Sequence, residues 1–210
     1  MPKLVSGFIR NKNKGFTLIE AMVSVAIVSV IMSVVFFDYA TFNDNLALSA
    51  AAQELAVTIR QAQTYGLTVK EVSRDITSGG RFTSAYGVYF DENDPTHYYL
   101  FADLAGDKKY DVGLGCGSGP GNTECVEMFT LRNRVRVSNL YDETDSSPQG
   151  SNKMHVTFLR PNPDARIYFT VGTSEVGPSL TGKVVMTSAK GKTITVTVES
   201  TGQVLVGQIQ

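Results

Sequence analysis

Histidine and cysteine, on which many metal sites and covalent catalytic mechanisms depend, are scarce in this sequence of 210 residues. It contains two of each: His97, His155, Cys116 and Cys125. Neither histidine has a spacing typical of a zinc site or of a base beside a nucleophile. His155 lies in a strand-like run, where a structural role is the default, and Ser118 lacks the full nucleophile-elbow pattern. The sequence therefore predicts no enzyme.

A large excess of charge is also lacking. The formal net charge is −1, from 19 basic and 20 acidic side chains. Four of the basic residues fall in the first 15 positions, which contain no acid: Lys3, Arg10, Lys12 and Lys14. The remainder then has 15 basic and 20 acidic side chains, or −5. A mildly acidic body does not attract nucleic acid through its overall charge, so such binding would depend on specific arginines.

Formal charge is absent from a run of 17 residues, Ala21 to Phe37, made mostly of Val, Ile, Ala, Met and Phe. As a helix from Phe16 to Phe37, the segment would be about 33 Å long at about 1.5 Å per residue, enough to cross a bilayer core. Because Lys and Arg before such a segment tend to stay in the cytoplasm, we predict that the chain after Asp38 is exported.

Two simpler interpretations of this segment are open. A secretory signal peptide also combines a basic start with an apolar run, but its apolar region normally has only about 7–15 residues. No small-x-small cleavage pattern follows the run directly here. A plain signal-anchor helix, with Glu20 near the lipid headgroups, is the second interpretation. Neither accounts for Gly15 and Glu20 together.

Glu20 is a lone carboxylate within the apolar segment. An ionised carboxylate at membrane depth costs roughly 2.5–3.5 kcal/mol on insertion scales, so a positive partner is expected. No Lys or Arg lies between Phe16 and Ala40. Cleavage after Gly15 would supply that charge as a new amino terminus on Phe16.

The segment Lys14-Gly15-Phe16-Thr17-Leu18-Ile19-Glu20 closely resembles the processing motif of type IV prepilins and type II secretion pseudopilins. The resemblance implies cleavage between Gly15 and Phe16 and N-methylation of Phe16 by a prepilin peptidase and methyltransferase. It also implies that Glu20 pairs with the Phe16 amino group of a neighbouring subunit. Other implied partners are pilin or pseudopilin subunits and an inner-membrane assembly platform. The protein is then expected to cross the inner membrane once, with its C-terminal domain outside the cytoplasm, before it enters a filament.

The rest of the chain predicts an α+β fold. Apolar residues at helical spacing line one face of an amphipathic helix that ends near Gly66: Leu48, Ala52, Leu55, Ile59 and Ala62. Strands are predicted at 86–90, 98–102, 126–131, 154–159, 166–171, 184–187, 193–199 and 203–206, with an exposed loop at 142–152. The predicted segments are a cleaved leader (1–15), a transmembrane assembly helix (16–40), an amphipathic helix half (41–70) and an exported β-rich domain (71–210). The helix is expected to pack on an antiparallel sheet, as in type IV pilins.

Residues 52–63, 155–166 and 194–206 resemble the second helical half and the C-terminal strands of the minor pseudopilin H / FimT family. This resemblance implies a minor structural subunit of a type IV pilus or of a type II secretion pseudopilus. Some FimT-like minor pilins are thought to bind DNA through arginines near the C-terminal hairpin. Residues 202–208 of this chain contain no arginine.

The two cysteines lie in and beside a glycine-rich stretch, with eight residues between Cys116 and Cys125. Outside the cytoplasm, a disulfide that closes this loop is the natural interpretation, and reduced cysteines are the alternative. Two thiols alone make a poor metal site.

Arg132, Arg134 and Arg136 fall on one face if that stretch is extended, and they would then form a basic row that contacts DNA phosphates or acidic groups of a partner. They support the alternative function, a DNA- or ligand-binding minor pilin at the filament tip.

The sequence also has a weak calcium candidate. Asp103, Asp107 and Asp111 would offer oxygen ligands, but their spacing of four differs from that of an EF-hand loop. Lys108 and Lys109 dilute the negative charge, so a solvated acidic turn is the other interpretation. No further cofactor is predicted.

Overall fold

The protein is described here by a computed structural model that covers residues 15–68, 85–111, 116, 124–142, 151–172 and 174–210. These residues form one α-helix, α1 (Leu18–Leu67), and ten strands. The strands are β1 (Ala85–Asp91), β2 (His97–Asp103), β3 (Cys125–Thr130), β4 (Arg136–Tyr141), β5 (Ser151–Phe158), β6 (Ala165–Val171), β7 (Ser174–Ser179), β8 (Thr181–Thr187), β9 (Thr193–Glu199) and β10 (Val204–Val206). The contacts within the chain define two units, Met1–Thr41 and Phe42–Gln210. The predicted leader, up to residue 14, lies outside the described residues.

The strands of the second unit form two antiparallel sheets. The first sheet has six strands in the order β3-β2-β1-β5-β6-β7, and the second has four in the order β10-β9-β8-β4. Every strand pair is antiparallel, and most neighbours in the sheets are also neighbours in sequence. The predicted α+β class, a long N-terminal helix followed by antiparallel sheets, is confirmed.

The core of the second unit lies between the helix and the inner faces of both sheets. The five residues predicted to line one helical face are all fully buried in it: Leu48, Ala52, Leu55, Ile59 and Ala62. The first sheet contributes Phe158 and Phe169, and the second contributes Val184 and Val196. Apolar side chains at a spacing of three and four on α1 and at every second position on the strands therefore meet in one cluster.

The eight predicted strands all overlap observed strands, whereas β4 and β7 were not predicted. β7 contains Gly177 and Pro178 and is an edge strand with mostly exposed side chains, so it has neither an apolar run nor a clean alternation. β4 carries a register shift between Val137 and Asn139 that interrupts its alternation. The predicted loop at 142–152 is shorter, because β5 begins at Ser151, and its residues 143–150 lie outside the described residues.

The prediction that the helix ends near Gly66 is confirmed, since α1 ends at Leu67. Gly66 also has a steric role. A Cβ atom at position 66 would clash with the backbone carbonyl of Phe158 in β5. Gly66 thus lets the last turn of α1 approach the first sheet closely.

Candidate functional site

The predicted processing segment lies at the start of the helix. Gly15, Phe16 and Thr17 precede the first helical residue, Leu18, and have no regular secondary structure. No heavy atom lies within 4 Å of a Cβ built on Gly15, and Phe16 is 75% exposed. The peptide bond between Gly15 and Phe16 is therefore accessible and outside the helical hydrogen-bond pattern, as a protease substrate requires.

Thr17 caps the N-terminus of α1. The resemblance to the prepilin processing motif does not imply this role. Its hydroxyl oxygen accepts a hydrogen bond from the backbone N–H of Glu20 at 3.3 Å, and its carbonyl accepts the first helical bond, from Ala21, at 3.1 Å. The spacing Thr-x-x-Glu is the sequence signature of a capping box, so the cap was readable from the sequence. The cap places the start of the helix immediately after the predicted cleavage position.

Glu20 lies in the first turn of α1 and is exposed. A carboxylate is favourable there, because unpaired backbone N–H groups give the helix N-terminus a partial positive charge. Glu20 forms no ion pair within the described residues. Its carboxylate is therefore available to a charge from outside this chain.

The helix surface after Glu20 is apolar and exposed. Fourteen large apolar side chains between Phe16 and Phe36 have exposed fractions of 52 to 78%. The hydroxyls of Ser24, Ser29 and Ser33 donate to the carbonyl oxygens four residues earlier at 2.7 to 2.8 Å, so they add no unpaired donor to that surface. The helix is long and apolar enough to cross a membrane by length and composition.

Comparison with known proteins decides what this segment is. The family model of the prokaryotic N-terminal methylation motif matches residues 10–36, which include Gly15, Phe16 and Glu20. The chain carries a prepilin-type methylation motif. The motif supports a type IV pilin-like or pseudopilin-like precursor, a structural class of protein, with a helix consistent with membrane anchoring. No curated protein and no solved structure matches the chain.

The second unit of the chain contains the predicted disulfide. Cys116 and Cys125 are bonded to each other, with their Cα atoms 5.1 Å apart. Both pack in a small cluster on the outer face of the first sheet with Tyr89, Phe101 and Tyr110. The disulfide prediction is confirmed, while Ser118 and most of the glycine-rich loop lie outside the described residues.

His155 has the structural role that its position in a strand predicts. It is 3% exposed, its Nδ1 accepts a hydrogen bond from the backbone N–H of Tyr110 at 3.1 Å, and its Nε2 is 3.0 Å from Thr170 Oγ1. Since Nδ1 accepts a hydrogen bond, Nε2 carries the proton of the neutral ring and donates a hydrogen bond to Thr170 Oγ1. Burial, with the nearby positive charges of Lys109 and Lys153, lowers the pKa of His155 to about 4. His155 is a neutral anchor for the segment 104–111 after β2.

Two buried carboxylates hold the same segment. Asp103 accepts hydrogen bonds from the backbone N–H groups of Gly106 at 2.6 Å and Lys108 at 2.9 Å. Glu124 accepts from Leu104 and from Asp111, both at 2.8 Å. Burial raises the pKa of both carboxyls. Sequence reasoning missed Glu124, because the glycine-rich stretch between it and its donors gives no periodic signal.

Hydrogen bonds to the backbone occupy some of the carboxylates that were predicted as calcium ligands. Asp103 is buried and turned toward its own loop, Asp107 Oδ1 accepts from the backbone N–H of Lys109 at 3.0 Å, and the backbone of Asp111 donates to Glu124. Among the described residues, the structure contains no group of three or more His, Cys, Asp or Glu side chains arranged to hold a metal ion. Calcium binding stays a prediction.

The geometric premise for the arginine row is wrong. Arg132, Arg134 and Arg136 are all exposed, but the stretch is a turn rather than an extended strand. Asn133 and Arg134 have φ values of 56° and 60°, and the N–H of Val135 donates to the carbonyl of Arg132 at 3.1 Å. Only Arg136 belongs to a strand, so the three side chains do not share one strand face. Their contact with nucleic acid stays a prediction.

The other histidine, His97, is hydrogen-bonded to Asp94 at 2.7 Å.

Proposed function

We propose that this protein is a minor pilin or pseudopilin, a structural subunit that assembles into a type IV pilus or a type II secretion pseudopilus after its leader is removed. The observation that carries the proposal is the methylation motif at residues 10–36, which includes Glu20 and the exposed apolar start of α1. The subtype, minor pseudopilin H / FimT, is supported by the resemblance of residues 52–63, 155–166 and 194–206.

Cleavage after Gly15 would create an ammonium group on Phe16, and N-methylation keeps its positive charge. In a filament, this group on one subunit would lie beside Glu20 of the next, at a depth where both charges are poorly solvated. A buried charge without a partner costs several kcal/mol, whereas a pair of opposite charges offsets much of that cost. The pair therefore favours one axial stagger between neighbouring helices, while contacts between apolar side chains hold them together.

The proposed location follows from the same helix. Lys and Arg residues before Gly15 would stay in the cytoplasm, where the peptidase and methyltransferase acts, and the unit Phe42–Gln210 would be exported. A disulfide between Cys116 and Cys125 suits an oxidising compartment. The expected partners are the peptidase, an inner-membrane assembly platform and other pilin or pseudopilin subunits.

Mass spectrometry of the N-terminal peptide, from protein recovered from cell membranes, tests processing. We expect a peptide that begins at N-methylated Phe16. An intact leader would instead support a membrane-anchored protein that is not processed. A peptide that begins near residue 50 would support an ordinary secreted protein.

Replacement of Glu20 tests assembly separately from processing. We expect Glu20→Val to insert in the membrane and to lose its leader, but to enter filaments at least about tenfold less, since the Phe16 ammonium is left without a counter-charge. Val28→Ala is the matched control, because it changes the exposed apolar surface of the same helix without a charge. Normal incorporation of Glu20→Val would refute the charge-pairing mechanism.

A further inference from the structure

Two neighbouring turns place cationic side chains at one end of the unit Phe42–Gln210. The turn 132–135 leads into β4, whose first residue is Arg136. Arg136 pairs with Thr187 in β8, and Thr187 pairs with Thr193 in β9, so the turn 188–192 lies beside the turn before β4. We call the cationic side chains of these turns and of the first residue of β4 the basic end: Arg132, Arg134, Arg136 and Lys192.

The helix contacts show which end of the unit this is. Gln63 Nε2 donates to the carbonyl oxygen of Gly202 at 3.4 Å. Three residues earlier in the helix, Arg60 Nη2 donates to the carbonyl oxygen of Val204 at 3.5 Å, two residues later in the chain. The helix and β10 therefore run in opposite directions, and earlier helix residues lie beside later residues of the C-terminal segment.

The start of the helix in this unit lies at the basic end. From residue 60 back to Phe42, α1 extends about 27 Å at about 1.5 Å per residue. From residue 204 to Gln210, the C-terminal segment extends about 20 Å in the same direction at about 3.3 Å per residue. The backbone of Gln210 is hydrogen-bonded to that of Thr193, immediately after the turn 188–192. Phe42 is therefore near the level of the two basic turns.

Apolar side chains are exposed at the same end. Phe42 is 66% exposed and Leu46 is 56% exposed. Surfaces that combine Lys and Arg with exposed Phe and Leu are typical of contact with a membrane interface. Phe42 is also only five positions after Phe37, the last residue of the uncharged run, and five residues reach at most about 18 Å. With the uncharged run in a bilayer, the basic end lies within reach of the lipid headgroups.

The cations of the basic end are available, whereas the acids near it are used. Asp91, Glu92 and Asp94 each accept hydrogen bonds from other groups of the chain, and one carboxylate oxygen of Asp44 is buried. Among the described residues, no side chain of the basic end forms a hydrogen bond or an ion pair. The neighbouring Lys190 interacts within the chain and is not counted.

We propose that the basic end binds the headgroups of anionic phospholipids at the surface of the membrane that α1 enters. This rests on the proposed function, which places residues 16–37 in a bilayer. The negative potential of an anionic surface attracts nearby Lys and Arg side chains, and a guanidinium group donates two parallel hydrogen bonds to one phosphate. Nucleic acid is the less suitable ligand, because the three arginines are spread around a turn and do not form one row along a groove.

Hydrogen exchange of the full chain in lipid nanodiscs tests the proposal. One disc contains phosphatidylcholine alone, and the other contains phosphatidylcholine and phosphatidylglycerol in equal parts. We expect the amides of the turns 132–135 and 188–192 to exchange at least about threefold more slowly on the anionic disc, because lipid contact opposes their local opening. The turn 200–203, at the opposite end of the unit, should exchange equally on both. High salt should remove the difference, since it screens exposed charges.

Two double variants separate the basic end from total charge. Arg132→Gln with Arg136→Gln should abolish most of the difference between the discs. Arg160→Gln with Arg166→Gln is the matched control, because it removes the same charge at the opposite end, where the N–H of Ala165 donates to the carbonyl of Ser200. This control should exchange as the wild type does.

The outcomes distinguish this proposal from the proposed function. Equal exchange on the two discs, or a difference that persists after the changes at residues 132 and 136, would overturn the lipid contact alone. Protection of the two turns by a short DNA duplex, and not by phosphatidylglycerol, would also overturn it and assign the arginines to nucleic acid. A chain that enters neither disc would refute the membrane-spanning helix and the lipid contact together.

Discussion

Ile27 and Ile59 belong to one helix and have the same side chain, yet Ile27 is 56% exposed and Ile59 is fully buried. The difference is in what surrounds them. In the unit Phe42–Gln210, the helix meets two sheets of the same chain. Around Ile27, the described residues provide no such partner, so the apolar surface there needs lipid or another subunit. The sequence encodes this difference, since residues 21–37 carry no formal charge, whereas the apolar residues from Leu48 to Ala62 line only one face of the helix.

Matched truncations should separate the two regions most strongly. We expect Ile59→Ala to lower the free energy of unfolding of the unit Phe42–Gln210 by about 2–5 kcal/mol, because it leaves a cavity in the core. Ile27→Ala should change that free energy by less than about 0.5 kcal/mol. Urea unfolding of the full chain in micelles, followed by tyrosine fluorescence, measures both. Equal losses from the two variants would contradict the division into a self-supported and a partner-dependent region.

His155 should make the stability of the unit Phe42–Gln210 depend on pH. Its pKa is about 4 in the folded chain and about 6.5 in the unfolded chain, so between these values the unfolded chain binds a proton that the folded chain does not. The contribution is complete above pH 6.5 and declines as the pH falls toward 4, by on the order of 3 kcal/mol in total. Urea midpoints between pH 3.5 and 7.5 measure this dependence.

A variant separates the contribution of His155 to the pH dependence of stability from that of the buried acids. Burial raises the pKa of Asp103 and Glu124, so their protonation in acid favours the folded chain and opposes the effect of His155. His155→Gln keeps an acceptor for Tyr110 and a donor for Thr170 but does not titrate. The difference in stability between wild type and variant should therefore change between pH 4 and 6.5, and a constant difference would show that His155 is not buried neutral.

The disulfide should stabilise only the unit Phe42–Gln210. Closing a loop with a sequence separation of 9 stabilises a folded domain by about 2–3 kcal/mol in the chain-entropy model. Reductant should lower the urea midpoint of the wild type, whereas the double variant Cys116→Ala, Cys125→Ala should have the lower midpoint with or without it. The helix content of residues 18–41 should stay the same in every case. A loss of helix there would mean that the two regions unfold together.

A feature could be predicted from the sequence when the residues that encode it lie in one short stretch of the chain. The apolar face of α1, the strand β9 and the processing motif each occupy one short stretch, and their periodicity or order is visible without the fold. The two missed strands and the turn at Asn133 and Arg134 are different. An edge strand needs no apolar run, and non-glycine residues at positive φ are rare enough that an extended stretch was the natural expectation.

The contacts of the buried polar residues Glu124 and His155 were even harder to predict from the sequence. Glu124 binds backbone groups 13 to 20 residues earlier in the chain, and His155 binds Tyr110 across 45 residues. Such pairs are brought together by the sheet, so their roles follow from the topology.

The cap at Thr17 offers the finest test of the two regions, because it stabilises only the first turn of α1. We expect Thr17→Ala to cost about 1 kcal/mol of local stability, which corresponds to a roughly fivefold faster hydrogen exchange at the Glu20 amide. Thr17→Ser should keep the slow exchange, since serine caps equally well. Both variants should retain the wild-type urea midpoint of the unit Phe42–Gln210. NMR of the full chain in micelles measures the exchange. If Thr17→Ala left the Glu20 amide as protected as in the wild type, the start of the helix would be held by its surroundings, and the N-terminal region would depend on its partners even for its local fold.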